Sequence, residues 1–204
     1  MRVIVTAGPT REYIDSVRFI TNASSGKMGY ACAAAAMRAG HQVTLITGPV
    51  SLSPPAGCGV IRIVSVEELQ AALAEEFPIA DLLIMAAAVG DFTVANRTPH
   101  KISRKDGPIT IQLVPTPDVL AGVTANRRTG QVIVGFSVED RHDQAKARQE
   151  MADKRCDFMV LNGPSAMMAD ESEACILSPA GVVLPWQRRS KQELAEQVVG
   201  LLKR

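Results

Sequence analysis

The sequence lacks the cysteine and histidine groupings that build metal sites and disulfide frameworks. Cys32, Cys58, Cys156 and Cys175 lie far apart and form no Cys-x-x-Cys pair, and the three histidines do not cluster. This spacing signals neither a zinc site nor a set of disulfides.

Net charge and long apolar runs are also scarce. The formal net charge of +1 gives no electrostatic reason to bind nucleic acid or an anionic membrane. No apolar run approaches membrane-spanning length, and residues 1–6 resemble a buried strand rather than a leader. These absences predict a cytoplasmic protein. A chain of 204 residues suits a single domain, 1–204, whose core buries about 70% of the unfolded surface.

Apolar, β-branched runs alternate with helical patterns along the chain. Val3–Val5 and Gln42–Thr47 flank an alanine-rich helix, which predicts a βαβ unit with a parallel sheet. Further buried strands are predicted at Asp81–Met85, Val132–Phe136 and Phe158–Leu161. The sequence therefore predicts an α/β fold: a Rossmann-like, mostly parallel sheet with helices on both faces.

Local signals mark the starts of further helices. Ser65–Glu68 and Ser190–Glu193 have the spacing of capping boxes. Thr116–Asp118 predicts a helix that has Thr as its cap, Pro at its first position and an end near Arg128. Another helix is predicted from about Arg141 to Lys154.

Three smaller segments are predicted in addition to the parallel strands and their helices. Ala174–Ser178 and Val182–Leu184 flank Pro179–Gly181 and predict a β-hairpin. Residues from about 93 to 108 are polar and basic without periodicity, which favours a mobile flap, although a plain solvated loop remains open. Ile109–Val114 alternates with a period of two, so it should have one wet face or pair outside the parallel sheet.

The stretch from Ile20 to Gly29 joins the first strand to the alanine-rich helix through small polar residues. Ser24 or Ser25 is predicted to cap this helix, whose unpaired N–H groups would then favour a phosphate. The alternative is a well-capped helix whose glycines serve close packing.

The sequence does not match either of two familiar nucleotide-binding motifs at this stretch. Met28 stands where a P-loop needs Ser or Thr, and the first strand runs into Ala7-Gly8-Pro9 rather than a glycine fingerprint. A Rossmann-type NAD(P) reductase would also need a ribose-reading residue after the second strand, and Thr47–Pro49 offers none.

Several segments, taken in this order, resemble the phosphopantothenate-cysteine ligase family, also called phosphopantothenoylcysteine synthetase. They are Thr6–Glu12, Asp15–Gly29, Ala86–Phe92, Lys101-Ile102 and Pro117-Asp118. In many bacteria this enzyme is the C-terminal half of a bifunctional coenzyme A biosynthesis protein whose other half is a flavin-dependent decarboxylase. No such half precedes Met1, so the resemblance implies a monofunctional member or an excised domain.

The resemblance implies a CTP- and Mg²⁺-dependent ligation in coenzyme A biosynthesis. The carboxylate of 4′-phosphopantothenate would attack the α-phosphate of CTP, giving an acyl-cytidylate and pyrophosphate. The amine of cysteine would then displace CMP and form the amide. Family members are homodimers paired through strands near the flap, which implies a homodimer here.

The resemblance also assigns roles to individual residues. Asn22 would hold the acyl-cytidylate, and Lys101 would lie close to the negative charge that develops on the triphosphate. Asp91 would accept a hydrogen bond from the ribose or from a magnesium-bound water. The simpler alternatives are a turn residue for Asn22 and a cap for Asp91. The full set of implied nucleotide contacts is Ser24, Ser25, Gly26, Lys27, Met28, Ala87, Asp91, Pro117, Asp118, Val119, Leu120, Phe136 and Lys154.

The chain departs from the family pattern in three places. The flap reads Lys101-Ile102-Ser103-Arg104-Lys105 where many members have Lys-Ile-Lys-Lys, which leaves open the cation that acts besides Lys101. Gly90 replaces the usual alanine and is expected to loosen the backbone beside Asp91. Glu150 stands where the family commonly has a lysine that contacts the nucleotide, so either Arg148 or Arg155 supplies that charge or the contact is lost. A non-catalytic nucleotide sensor remains an alternative, but it would tolerate loss of Asn22 or Lys101, and both are present.

Overall fold

The computed structural model describes residues 1–139 and 143–201. Its strands are β1 (Arg2–Ala7), β2 (Arg11–Tyr13), β3 (Phe19–Thr21), β4 (Gln42–Thr47), β5 (Gly59–Arg62), β6 (Leu82–Met85), β7 (Phe92–Val94), β8 (Leu113–Pro115), β9 (Val132–Val138), β10 (Phe158–Asn162), β11 (Glu171–Ser178) and β12 (Gly181–Ser190). Its α-helices are α1 (Lys27–Arg38), α2 (Val66–Glu76), α3 (Val119–Ala125), α4 (Gln144–Asp153) and α5 (Lys191–Gly200).

The central sheet has the strand order β12-β11-β10-β9-β6-β1-β4-β5. The strands from β10 to β5 are parallel to their neighbours, whereas β11 and β12 form an antiparallel hairpin along β10. The mostly parallel sheet and the closing hairpin are therefore as predicted, although the hairpin is longer than expected.

Helices cover both faces of this sheet. On one face, α1 and α5 pack over the side chains of Val3 and Val5, and on the other α2, α3 and α4 pack over those of Ile4 and Leu83. Successive residues of β1 thus point into different cores, which explains why its sequence is apolar throughout. Among the described helices, none has the length and apolarity needed to cross a bilayer.

The predicted cap of α1 is wrong. The N-cap is Gly26, at φ 76°, and it has no side chain to accept a first-turn N–H. Its positive φ lets the chain turn sharply before Lys27, a conformation that serine adopts only with strain. The Ser24 hydroxyl oxygen lies 3.3 Å from the backbone nitrogen of Gly26. That of Ser25, one residue before the N-cap, lies 3.5 Å from the backbone nitrogen of Lys27, the first residue of α1.

Other helix boundaries also differ from the sequence expectations. Asp118, not Thr116, caps α3, because its carboxylate accepts the Ala121 N–H at 2.9 Å, and α3 ends at Ala125 rather than near Arg128. The capping box of α5 is complete at Ser190 and Glu193. The predicted start of α4 at Arg141 lies outside the described residues.

Two short antiparallel pairs project from the central sheet. The pair β2–β3 follows β1 and has no counterpart among the predicted elements. The pair β7–β8 flanks the predicted flap, which contains a 3₁₀ turn at Arg104–Asp106. Of the predicted strand Ile109–Val114, only its last two residues lie in a strand, within β8. The mobility of the flap stays a prediction.

Candidate functional site

A cavity of about 890 Å³ opens at the carboxyl ends of β6 and β9, between the start of α3 and one face of α4. Met85 and Phe136 line it from the sheet, and Val119 and Gln149 line it from the helices. Open α/β sheets bind ligands at this end, where loops from neighbouring strands meet. The volume is in the range of small-molecule and cofactor sites.

The loop after β6, residues 86–91, forms one wall and is fixed by three threonine hydroxyls. Those of Thr6 and Thr10 accept the N–H groups of Ala87 and Gly90 at 3.0 and 2.9 Å, and that of Thr116 donates to the Gly90 carbonyl at 2.6 Å. Both backbone polar groups of Gly90 are therefore hydrogen-bonded, and its looser backbone relative to alanine stays a prediction.

Asn22 and Asp91 both line the cavity, Asn22 through a contact with this loop and Asp91 as its last residue. The side-chain amide of Asn22 donates to the Val89 carbonyl at 2.8 Å. That bond uses one N–H of the amide, which also carries a second N–H and an acceptor oxygen. Asp91 is exposed, and its backbone carbonyl accepts the Thr116 N–H at 2.9 Å. The Asn22 side chain is thus oriented while keeping the capacity to bind a polar ligand.

A chain of polar contacts forms the wall between β9 and α4. The Ser137 hydroxyl donates to Glu150 at 2.7 Å, and Glu150 accepts from the Lys154 ammonium at 2.8 Å. Lys146 pairs with Glu139 at 2.8 Å. All five residues line the cavity. The wall therefore presents two lysines, each neutralised by a carboxylate.

Both lysines are held in their charged form. Burial alone would lower the pKa of Lys154, but the hydrogen bond and charge of Glu150, followed by the charge of Asp118, raise it above its ordinary value. The hydrogen bond and charge of Glu139 likewise raise the pKa of Lys146. Each remains a cation at neutral pH and is unsuited to act as a general base.

The cavity brings together nine of the fifteen residues that the sequence singled out. They are Asn22, Ala87, Asp91, Pro117, Asp118, Val119, Leu120, Phe136 and Lys154. The residues Ser24, Ser25, Gly26, Lys27, Met28 and Lys101 do not line it. The flap lysine, Lys101, is exposed.

The start of α1 is covered by the segment after β10. The Met167 carbonyl accepts both the N–H and the hydroxyl of Ser25, at 3.4 and 2.9 Å. The Lys27 ammonium pairs with Asp170 at 2.6 Å. Met167 also lines the cavity, so the segment that bonds Ser25 borders the cavity as well. A phosphate at Ser25 would have to displace the Met167 carbonyl.

Neither arginine considered as a substitute for a cation at position 150 lines the cavity. Arg148 donates to the Ser178 carbonyl at 3.4 Å, while Arg155 follows the helix at φ 50°. Lys146, Ser137 and Glu139 were missed by the sequence reasoning. Lys146, Glu150 and Asp153 recur at helical spacing and share one face of α4, but only the fold shows that this face borders the cavity.

A magnesium ion fits this site only as a partner of a bound triphosphate. No group of three or more His, Cys, Asp or Glu side chains within residues 1–139 and 143–201 is placed to hold a metal ion. Magnesium is commonly bound by one or two carboxylates plus phosphates and waters, and the exposed Asp91 meets that requirement.

An α/β sheet with a polar cavity at the carboxyl ends of its parallel strands defines a Rossmann-like ligand-binding domain. The chain belongs to the family described as DNA/pantothenate metabolism flavoprotein C-terminal domain, whose model matches residues 1–204.

Known relatives and structures agree with that membership. The chain is 41% identical over 212 aligned positions to the Coenzyme A biosynthesis bifunctional protein CoaBC of Mycobacterium bovis, with 97% of this chain and 51% of that protein covered. It is 42% identical over 165 positions to CoaBC of Bacillus subtilis, covering 80% of this chain and 40% of that protein. It thus spans about half the length of these relatives, or less. The crystal structure of the C-terminal domain of CoaBC matches with a TM-score of 0.83 and 28% identity, over 99% of this chain and 93% of that one.

Proposed function

We propose that this chain is a phosphopantothenate-cysteine ligase, which joins 4′-phosphopantothenate to cysteine in coenzyme A biosynthesis. The observation that carries the proposal is the meeting of Asn22, Asp91 and residues 117–120 in one cavity, because these segments are far apart in sequence. Similarity to CoaBC proteins of coenzyme A biosynthesis supports the same pathway.

The proposed reaction proceeds in two balanced steps with CTP as co-substrate. A carboxylate oxygen of 4′-phosphopantothenate forms a bond to the α-phosphorus of CTP, and the bond to the β-phosphate oxygen breaks, releasing pyrophosphate. The amine of cysteine then attacks the acyl carbon of the mixed anhydride. CMP leaves with its bonding electron pair, and the amine proton is lost to solvent.

The residues on the cavity wall suit binding and positioning rather than covalent catalysis. The Asn22 amide, held by Val89, offers a donor and an acceptor to the acyl-phosphate group. The first residues of α3, Val119 and Leu120, present backbone N–H groups beside Asp118 and would read the edge of the base. Lys154 offers a fixed cation for a phosphate. Fixed groups of this kind act through positioning and charge stabilisation.

Magnesium would be held by Asp91 through water and by the triphosphate, where it neutralises developing negative charge. Lys101 is proposed as a second source of positive charge. Its exposed position outside the cavity means that it reaches the triphosphate only after its side chain moves.

We further propose a homodimer paired through the surface of β7–β8. Phe92, Ile109, Ile111 and Leu113 are 51, 49, 38 and 42% exposed on this pair and the segment leading into it. Neighbouring exposed apolar side chains of this size favour association. Size-exclusion chromatography with light scattering should give a dimer mass at micromolar concentration, and a clean monomer would refute the proposal.

The cellular setting is also proposed. A cytoplasmic location suits an enzyme that uses CTP and cysteine. A flavin-dependent decarboxylase, fused or separate, is the proposed neighbour in the pathway, in line with the bifunctional relatives.

A nucleotide-binding module without catalysis is the second candidate. It is favoured by the position of Lys101 outside the cavity and by the Met167 carbonyl in front of Ser25. Such a module would bind CTP but release no pyrophosphate.

The deciding experiment measures pyrophosphate release from CTP with Mg²⁺ and 4′-phosphopantothenate, with and without cysteine. We expect release that depends on phosphopantothenate, with CMP and the amide appearing only when cysteine is added. Asn22→Ala should lower the rate about 100-fold. No release with either CTP or ATP, from protein that is folded by circular dichroism, would reject the ligase and leave the binding module.

A further inference from the structure

The turn between β2 and β3, residues 14–18, is built around a fully buried carboxylate. Asp15 has 0% of its side chain exposed. Its Oδ1 accepts the backbone N–H groups of Val17 and Arg18, both at 2.7 Å. Its Oδ2 accepts from the Arg18 guanidinium at 2.9 Å and from the Ile102 N–H at 3.1 Å. One oxygen therefore holds the turn, and the other holds a residue 87 positions away.

That distant residue, Ile102, is part of the flap, and both its backbone N–H and its backbone carbonyl are hydrogen-bonded. The Arg18 guanidinium donates to the Ile102 carbonyl at 3.0 Å, so the same pair holds both polar groups of this residue. The turn makes another contact with the flap where the Thr98 N–H donates to the Ile14 carbonyl at 3.0 Å. The flap is thus fixed to the β2–β3 turn at two places, and Lys101 directly precedes one of them.

The carboxylate at this junction is ionised. The N–H of Arg18 and, in smaller measure, those of Val17 and Ile102 hold the pKa of Asp15 below its usual range, against the opposing effect of burial. A buried charge is tolerated only when its hydrogen-bonding capacity is filled, and here four donors fill it. Loss of any one donor leaves this charge partly unsatisfied.

We infer that Asp15 is a positioning residue for the ligase reaction proposed above: through the Ile102 N–H it fixes the point from which Lys101 reaches the triphosphate. Consecutive Cα atoms are about 3.8 Å apart, so an anchored Ile102 confines the backbone of Lys101 as well. Movement of Lys101 toward the cavity is then left to its side chain rather than to the whole flap. The inference rests on the proposed function.

The two carboxylate oxygens of Asp15 bond different partners, so a single substitution can remove the bond to Ile102 and keep the backbone bonds within the turn. Asp15→Asn retains an acceptor for the turn but places an NH₂ donor against the Ile102 N–H and the Arg18 guanidinium, so the bond from Asp15 to Ile102 is lost. The contact of the Thr98 N–H with the Ile14 carbonyl does not depend on this side chain. Asp81→Asn is the matched control, because the Asp81 carboxylate accepts one backbone N–H, that of Arg2 at 2.7 Å, at the opposite end of the sheet.

Steady-state kinetics should separate positioning from binding. We expect Asp15→Asn to lower kcat about tenfold or more, since misplacement of a charge-stabilising group acts on the reaction step. The KM for CTP should change less than about threefold, and Asp81→Asn should match the native chain in both constants.

A double-mutant cycle with Lys101→Ala tests whether Asp15 affects kcat through Lys101. If Asp15 acts through Lys101, Asp15→Asn should lower kcat in the native background but hardly at all in the Lys101→Ala background. An equal loss in both backgrounds would overturn the inference and leave Asp15 a purely structural residue. Should Asp15→Asn fail to fold, Asp15→Glu, which keeps the charge but shifts the oxygens, takes its place in the cycle.

Hydrogen exchange tests the anchor without any activity. The Ile102 amide should be protected in the native chain and in Asp81→Asn, and should exchange about tenfold faster or more in Asp15→Asn. Equal exchange in all three would overturn the anchor. If the native chain makes no product but Ile102 is protected, the proposed function fails while the anchor stands, so the two failures are distinguishable.

Discussion

Glu150 of α4 and Lys154, the residue that directly follows this helix, form an ion pair of 2.8 Å on the cavity wall. Lys154 also lies 3.6 Å from the carboxylate of Asp118, the residue that caps α3. One lysine thereby links the two helices between which the cavity opens. Its charge is shared between two carboxylates before any ligand arrives.

Glu150→Gln should improve nucleotide binding. The substitution removes a negative charge from a wall proposed to face a triphosphate, and it frees Lys154 from its closer partner. We expect the KM for CTP to fall up to about fivefold, the effect of a part-exposed ion pair worth about 1 kcal/mol or less. Initial rates against CTP concentration measure it, with Glu171→Gln, in an exposed pair with Arg188, as the control. A higher KM would mean that Glu150 is needed to orient Lys154.

Gly29→Ala should destabilise the protein through the contact of α1 with β1. A Cβ at position 29 would lie 2.7 Å from the Thr6 carbonyl oxygen and 2.9 Å from the Ala7 Cα, both backbone atoms that cannot move aside. We expect the free energy of unfolding to fall by about 1–3 kcal/mol in urea titrations. Gly122→Ala, in α3 with nothing within 4 Å of the new Cβ, should instead gain about 0.5–1 kcal/mol.

Thiol labelling should distinguish Cys58 from the other cysteines. Burial raises the pKa of all four thiols, to about 12 for Cys32 and Cys156 and to about 11 for Cys175. Cys58 is the one that is only half-buried, so its sulfur is the most accessible to a reagent. Because the thiolate is the reactive form and Cys58 is the most accessible of the four, Cys58 should react with a disulfide reagent at pH 8 about tenfold faster than the others, or more. The fast phase should vanish in Cys58→Ser, and denaturant should expose all the thiols. A fast phase that survives this substitution would contradict the prediction.

The capping box of α5 should make stability depend on pH. The backbone N–H and the hydroxyl of Ser190 lower the pKa of Glu193 in the folded state, so the carboxylate stabilises the fold above its ordinary pKa of 4.5. This contribution is lost as pH falls through the lowered folded-state pKa. The difference in unfolding free energy between the native chain and Glu193→Gln should therefore be largest near pH 7 and shrink toward pH 3. Glu75→Gln, at an exposed position of α2, should show no such trend.

The predictable parts of this fold depend on contacts close in sequence or on continuous apolar runs. The cap of α5 could be predicted because Ser190 and Glu193 are three residues apart, and β1 because both its faces are buried. At Ser65 the prediction held only in part: Ser65 accepts the Glu68 N–H, but the Glu68 carboxylate bonds the Val64 N–H instead of completing the box.

The parts that could not be predicted depend on partners far apart in sequence. The pair β2–β3 is stabilised by the Arg11 guanidinium stacked 4.4 Å from the Phe19 ring centroid, which short strands of mixed polarity do not reveal. Only the end of Ile109–Val114 joins a strand, because its partner, β7, is three residues long. The bonds of Asp15 to Ile102 and of Asn22 to Val89 likewise required the folded chain.

The packing of α1 against α5 sets an order of events during synthesis. Ala33 and Ala36 of α1 share a core with Leu194 and Val198 of α5, and Arg38 pairs with Glu196 at 3.1 Å. Roughly 150 residues separate the two helices, so a ribosome adding about 5–20 residues per second delivers α5 about 8–30 seconds after α1. Throughout that interval the apolar face of α1 lacks its cover. Nascent chains stalled before residue 191 should therefore be caught by chaperones that bind exposed apolar helices.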